Sequence, residues 1–209
     1  MAISTQARDE AALQASLDAA LASRPDGEGG VWLFVYGVLA ADPPFVYQDR
    51  AGATLPGFRR SFCLNDSFNR GTNLAPGLVL GLEPGNGCDG LAYRIAEHDL
   101  REGLSAVWRQ EMRFPCYEPI WREALFSDGS RPVLTFDTNR HGPFYRPETD
   151  EAQTADIIAA RAGPTGTNQA YLDETVWAFR EGGVVDPYLD GVQVRTNGVR
   201  QRTRSARSA

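Results

Sequence analysis

The apolar positions fall into short runs punctuated by Gly, Pro, Asn and Asp. Leu13, Leu17 and Leu21 recur at i, i+4 and i+8, which predicts an amphipathic helix over residues 5–23. A Pro/Gly-rich break follows over 24–30. Val31-Trp-Leu-Phe-Val-Tyr36 is then a continuous apolar run that stops at Gly37, the pattern of a buried strand leading into a turn. Further strands are predicted over 58–64, 78–82, 90–95, 117–126 and 133–136, and helices over 97–112, 149–161, 168–180 and, more briefly, 187–194. Strands cluster early and helices late, which favours an α+β fold over strict βα alternation. At least five buried strands are enough to close a small barrel.

Composition narrows the chemistry. All 21 basic residues are arginine, so no lysine serves as Schiff base, phosphate-loop cation or general base. Residues 1–194 hold 16 arginines against 27 acids, a net −11, and such a body repels nucleic-acid phosphate. Residues 195–209 carry five arginines and no acid, and read as a solvated, disordered tail. The expected organisation is an N-terminal helix and linker over 1–30, one domain over 31–194, and this tail. Cys63, Cys88 and Cys116 are widely spaced, and with His98 and His141 they give no zinc-ligand spacing, so no metal is expected. With no secretory leader pattern and no apolar run of membrane-spanning length, a cytoplasmic protein is expected.

One carboxylate stands out. On the predicted helix over 97–112, Leu100, Leu104 and Val107 define an apolar stripe, and Glu111 falls in its middle. It also sits in the last turn, where the helix dipole disfavours an anion. Both effects raise a carboxyl pKa toward the range useful for general acid–base work. The alternatives are a pairing of Glu111 with a nearby arginine such as Arg109 or Arg113, or a helix that frays before it. Gly37, directly after the first strand, permits a sharp turn whose N–H groups can hold an anionic oxygen. A Cys116–His141 nucleophile, a Gly-x-Ser-x-Gly elbow and a dinucleotide-binding glycine motif find no support.

These features fall in an ordered series of blocks. Val35-Tyr36-Gly37-Val38-Leu39-Ala40 is followed by Leu55-Pro-Gly-Phe-Arg-Arg-Ser-Phe-Cys-Leu64, Arg70-Gly71-Thr72, Pro76-Gly-Leu-Val-Leu-Gly-Leu82 and Gly90-Leu-Ala-Tyr-Arg94. Trp108-Arg-Gln-Glu-Met112, Gly163-Pro-Thr-Gly-Thr-Asn168, Tyr171-Leu172 and Asp186-Pro-Tyr-Leu189 complete it. The series resembles the ChaC-like, glutathione-specific γ-glutamylcyclotransferases over roughly residues 31–190. The resemblance implies a small mixed β-barrel with surrounding helices and a site at the barrel mouth. It implies cleavage of glutathione to 5-oxoproline and cysteinylglycine, with no cofactor and with Glu111 as the catalytic acid/base. The substrate loop falls on Val35, Tyr36, Gly37, Val38, Leu39 and Ala40, where the family has Gly-Tyr-Gly-Ser-Leu-Ile. Tyr36, Tyr93, Asn168 and Tyr171 are then expected to orient the substrate, and Arg70 to pair with one of its carboxylates. Val35, Val38 and Ala40 depart from the family loop. Two other readings therefore stand beside the first: a non-catalytic γ-glutamyl-binding or regulatory protein on the same scaffold, and a cyclotransferase for other γ-glutamyl amines.

Overall fold

A computed structural model describes residues 6–26 and 29–207. Five strands close into one barrel: β1 (Val31–Val35), β2 (Asp49–Asp66), β3 (Gly77–Ile95), β4 (Tyr117–Phe126) and β5 (Gly129–Thr138), in the spatial order β1-β3-β2-β4-β5. Neighbours run antiparallel except β1 and β5, which pair in parallel at Leu33 and Leu134 and so complete the ring. Leu33, Phe34 and Val35 are buried at successive positions, so both faces of β1 are covered, as its unbroken apolar run predicts.

Two predicted strands prove to be one. The segments 78–82 and 90–95 are joined within β3 through Glu83–Asp89, a stretch whose Pro and Gly residues read as a loop. Its partner β2 is irregular at the same level. Gly57 takes φ +81, and the pairing slips between Pro56 and Phe58. The Pro/Gly punctuation here marks a bulge in a ribbon whose tip, Pro84–Gly87, is mostly exposed, so that only Cys88 of this stretch joins the apolar core.

The helices fall close to their predicted places. Helix α1 (Glu10–Ala22) is capped by Asp9 and buries Leu13, Leu17 and Ala20 in the core. Residue 5 of the predicted span, and part of the 24–30 break, lie outside the described residues. A 3-10 turn (Glu97–Asp99) leads into α2 (Leu100–Glu111). The last three helices are α3 (Glu151–Ala160), α4 (Asn168–Glu181) and α5 (Pro187–Arg207).

The C-terminal segment departs from expectation. Helix α5 does not stop near residue 194 but continues to Arg207. Leu189, Val192 and Thr196 are buried along one stripe, α5 packs on α3, and Arg195 pairs with Glu151 (3.3 Å). The boundary expected at 194/195 therefore lies inside a helix. No helix among the described residues is long and apolar enough to cross a membrane.

Candidate active site

Helix α2 is built to deliver its last residue to a cavity. Leu100, Leu104, Val107 and Trp108 bury its apolar face, and the Trp108 ring meets Phe136 of β5 edge-on with centroids 5.2 Å apart. Glu111 continues that face by one turn. There the core gives way to a cavity of about 660 Å³ beside the exit of β1, and Glu111 lines it. The residue is half-buried, and burial raises its carboxyl to about 7, only partly offset by a hydrogen bond from Gln110. The alternative pairings do not form: Arg109 is bound to Glu10 (2.7 Å), and Arg113 lies over the Phe114 ring.

Another part of the same cavity wall forms where the chain leaves β1 and turns. Gly37 adopts extended angles and begins a 3-10 turn (Val38–Ala40), in which Ala40 N–H donates to the Gly37 carbonyl (3.0 Å). As the first residues of that turn, Val38 and Leu39 have N–H groups with no acceptor inside it. A Cβ on Gly37 would stand 3.4 Å from the Tyr171 hydroxyl, so turn and phenol are in close approach. The Tyr36 carbonyl accepts from Arg60 (3.1 Å), whose guanidinium is buried against Asp186 (2.7 Å) and over the Phe179 ring.

Three phenols enclose the site. Tyr36 donates to the Phe136 carbonyl (2.7 Å) and Tyr117 to the Leu80 carbonyl (2.7 Å). Tyr171 instead accepts from Leu80 N–H (3.2 Å), which leaves its own proton for a ligand. Burial above all, with the neighbouring Glu111 carboxyl contributing to each, raises all three, so they are neutral donors at physiological pH. Cys116 also faces the cavity. Burial pushes its thiol up to about 12, which keeps it protonated and inert, and His141 is exposed.

The remaining wall is the loop after β2. Asp66 accepts from the backbone N–H groups of Phe68, Asn69 and Arg70 (2.8–2.9 Å) and so fixes its shape. Arg70 projects into the cavity, pairs with Glu174 of α4 (3.1 Å) and lies 5.7 Å over the Tyr171 ring. Phe68 stacks on Phe114 (3.8 Å), and Trp177, largely exposed, stands at the rim. The charged residues of the lining are Asp42, Asp66, Glu111, Glu174 and Arg70.

Of the residues expected from sequence, Glu111, Val35, Tyr36, Gly37, Val38, Leu39, Arg70 and Tyr171 line this cavity, and Ala40, Tyr93 and Asn168 do not. Tyr93 is buried behind the turn and donates to the Ala40 carbonyl (3.1 Å), so it supports the loop from outside. Asn168 is fully buried and spans the backbone of Leu78. It accepts from its N–H (2.6 Å) and donates to its carbonyl (2.7 Å). Replacing it by Ala orphans two buried backbone groups. Asn168→Ala is therefore expected to cost about 2–4 kcal/mol, read as a lower urea midpoint at unchanged m-value. Tyr117, Asp66, Phe114, Glu174 and Trp177 complete the site but were not singled out by sequence. Tyr117 opens β4 and Phe114 lies in the loop before it, and no local pattern marks either position.

Barrel and cavity together define the γ-glutamylcyclotransferase fold. A yeast γ-glutamyl cyclotransferase specific to glutathione superposes with a TM-score of 0.76 at 20% identity, over 84% of this chain and 99% of that one. Within this class, residues 31–197 match the family described as ChaC-like protein, and the chain belongs to that family. The chain is 40% identical over 159 residues to the glutathione-specific γ-glutamylcyclotransferase of Escherichia coli, covering 76% of this chain and 68% of that enzyme. It is 31% identical to glutathione-specific γ-glutamylcyclotransferase 1 of Rattus norvegicus, over 75% of each chain.

Proposed function

We propose that the protein is a γ-glutamylcyclotransferase that cleaves glutathione into 5-oxoproline and cysteinylglycine. The observation that carries this reading is the placement of Glu111: a carboxyl that burial raises to about 7, lining the same cavity as the Tyr36–Leu39 turn. The relatives named for glutathione support the choice of substrate.

The α-amine of the γ-glutamyl group attacks its own γ-carbonyl carbon and closes a five-membered ring. Holding that arm folded turns orientation into rate, and well-oriented intramolecular reactions gain about 7–11 kcal/mol in this way. Glu111 as carboxylate takes the proton from the α-ammonium. As carboxylic acid it gives that proton to the departing cysteinyl nitrogen when the amide C–N bond breaks; the second proton, shed by the attacking nitrogen as it becomes the lactam N–H, passes by the same carboxylate to the released amine, which leaves as an ammonium. No water is consumed, and the enzyme ends in its starting protonation state. A pKa near the working pH serves both halves. The N–H groups of Val38 and Leu39 stabilise the oxyanion of the tetrahedral intermediate, a role that needs no side chain. Valine at 38 therefore retains what the backbone supplies, although it lacks the hydroxyl of the family serine. Tyr171 donates to a substrate oxygen, and Arg70 exchanges Glu174 for a substrate carboxylate.

The purified protein incubated with glutathione at pH 6–8 is expected to release 5-oxoproline and cysteinylglycine in equal amounts, measured by mass spectrometry. Absence of both across that range overturns the assignment. Val38, in place of a hydroxyl residue, favours a second reading in which another γ-glutamyl amine is the better substrate. Competition between glutathione and γ-glutamyl dipeptides in one reaction decides between them.

A further inference from the structure

Helix α2 carries Glu111 as its last residue, so whatever fixes that turn fixes the carboxyl. Side-chain hydrogen bonds at four places tie α2 and the residue after it to one segment. That segment, residues 8–18, precedes the family match that begins at 31. Asp18 accepts from Arg101 (2.8 Å), Ser16 from the Trp108 indole (3.2 Å), and both Glu10 oxygens from Arg109 (2.7–3.3 Å). Arg8 reaches closest to the site. Its backbone N–H donates to the Arg113 carbonyl (2.8 Å) and its guanidinium to the Met112 carbonyl (2.8 Å).

The chemistry of these last contacts is specific. A helix ends with carbonyls that have no partner inside it, and a cation there is favoured by the helix dipole. Arg8 supplies both donor and charge, at carbonyls one and two residues beyond Glu111. Its base is rigid: Asp9 caps α1, Leu13 and Leu17 are in the core, and the Ala20 carbonyl accepts from the Trp121 indole (2.9 Å). The same charge lies near enough to the cavity wall to act on the Cys116 thiol.

We propose that Arg8, held by the α1 arm, is a positioning residue for Glu111: it closes the C-terminal end of α2 and keeps its last turn aimed into the cavity. This rests on the proton-transfer role given to Glu111. A small displacement of a catalytic group is costly, about a hundredfold for 1 Å. Arg8 does not itself touch substrate, so its loss acts on kcat and leaves KM nearly unchanged.

The experiment compares Arg8→Met, Arg8→Lys and Asp18→Asn in the full chain. Asp18→Asn weakens a tie of the same arm at the opposite end of α2 and controls for a general loss of packing. At a temperature well below the melting point of each variant, Arg8→Met is expected to lower kcat for 5-oxoproline formation about tenfold, with KM within about twofold. Arg8→Lys restores part of the loss, and Asp18→Asn leaves kcat unchanged. Amide exchange of residues 109–113 is expected to quicken in Arg8→Met and not in Asp18→Asn. An unchanged kcat in Arg8→Met, or an equal fall in Asp18→Asn, overturns the proposal where the wild type turns over glutathione. A wild type that makes no 5-oxoproline overturns the functional reading instead, and the exchange measurement still decides whether Arg8 holds the last turn.

Discussion

Glu111→Gln is expected to lower 5-oxoproline formation from glutathione by at least about a hundredfold while the protein remains folded. Glutamine keeps the shape and the hydrogen-bonding capacity of the side chain but cannot carry a proton between the α-ammonium and the leaving nitrogen. Removing a general acid–base group costs about 10²–10⁴ in rate. Substrate binding is expected to survive, so the loss falls on kcat. The same substitution has a stability signature of definite sign. Burial holds the native carboxyl at about 7, against 4.5 in the unfolded chain. Between those values the native state keeps a proton that the unfolded state has released, so stability falls as pH rises through the window. Below about 4.5 the group is neutral in both states and costs nothing. Above about 7 the anion is confined in the cavity, at a cost of up to about 3 kcal/mol. Glutamine never meets that cost. The variant is therefore expected to melt several degrees above the wild type at pH 8 and level with it at pH 4. A melting difference that does not change with pH would mean that Glu111 is as well solvated in the native state as in the unfolded one.

That both effects converge on one residue explains why Glu111 was legible in sequence. A carboxylate in the middle of an apolar helical stripe is a local contradiction, and such contradictions gather at sites under functional constraint. Gly37 was legible for a related reason, since it ends an unbroken apolar run where a strand must turn. Asn168 and Tyr171 show where that legibility stops. They lie three residues apart on α4, and both belong to blocks resembling the family. Yet one ties down the backbone of Leu78, and the other presents its hydroxyl to the cavity beside Gly37. Which backbone lies opposite each side chain depends on the placement of α4 over β3, and no local pattern encodes it. Tyr93 and Ala40 fail in the same way: they meet each other, not the cavity. The continuation of the C-terminal helix beyond residue 194 is hidden for a compositional reason. Its inward stripe beyond Val192 passes through Thr196, a polar residue, while the arginines around it resemble a solvated tail. By contrast Asp186-Pro187 is a plain helix start. Asp186 accepts from Leu189 N–H (2.9 Å), and proline at the first helical position lacks only an N–H that would have no partner.

Asp186 also joins that helix start to the active-site turn. Its carboxylate lies 2.7 Å from Arg60, which is 3% exposed and donates to the Tyr36 carbonyl. In a trans peptide the carbonyl and the following N–H point in opposite directions. Holding the Tyr36 oxygen back against Arg60 therefore turns the Gly37 N–H away from it and sets the entry angle of the turn whose next amides are proposed to hold the oxyanion. Arg60→Met is expected to act twice. It leaves the Asp186 charge without its partner, a loss of about 3 kcal/mol or more for a buried pair, read as a lower urea midpoint. It also frees the Tyr36–Gly37 peptide to rotate, which is expected to lower kcat at least about tenfold in conditions where the variant is still folded; loss of a whole oxyanion donor costs about 10²–10³. Asp186→Asn separates the two effects. It removes the ion pair and weakens the fold, but Arg60 keeps its hydrogen bond to the Tyr36 carbonyl, so kcat is expected to stay within about threefold of the wild type. If the two variants lose stability and kcat in the same proportion, the arginine acts only through the fold. If kcat falls in Arg60→Met alone, the turn's peptide planes are set by a guanidinium that never reaches the substrate.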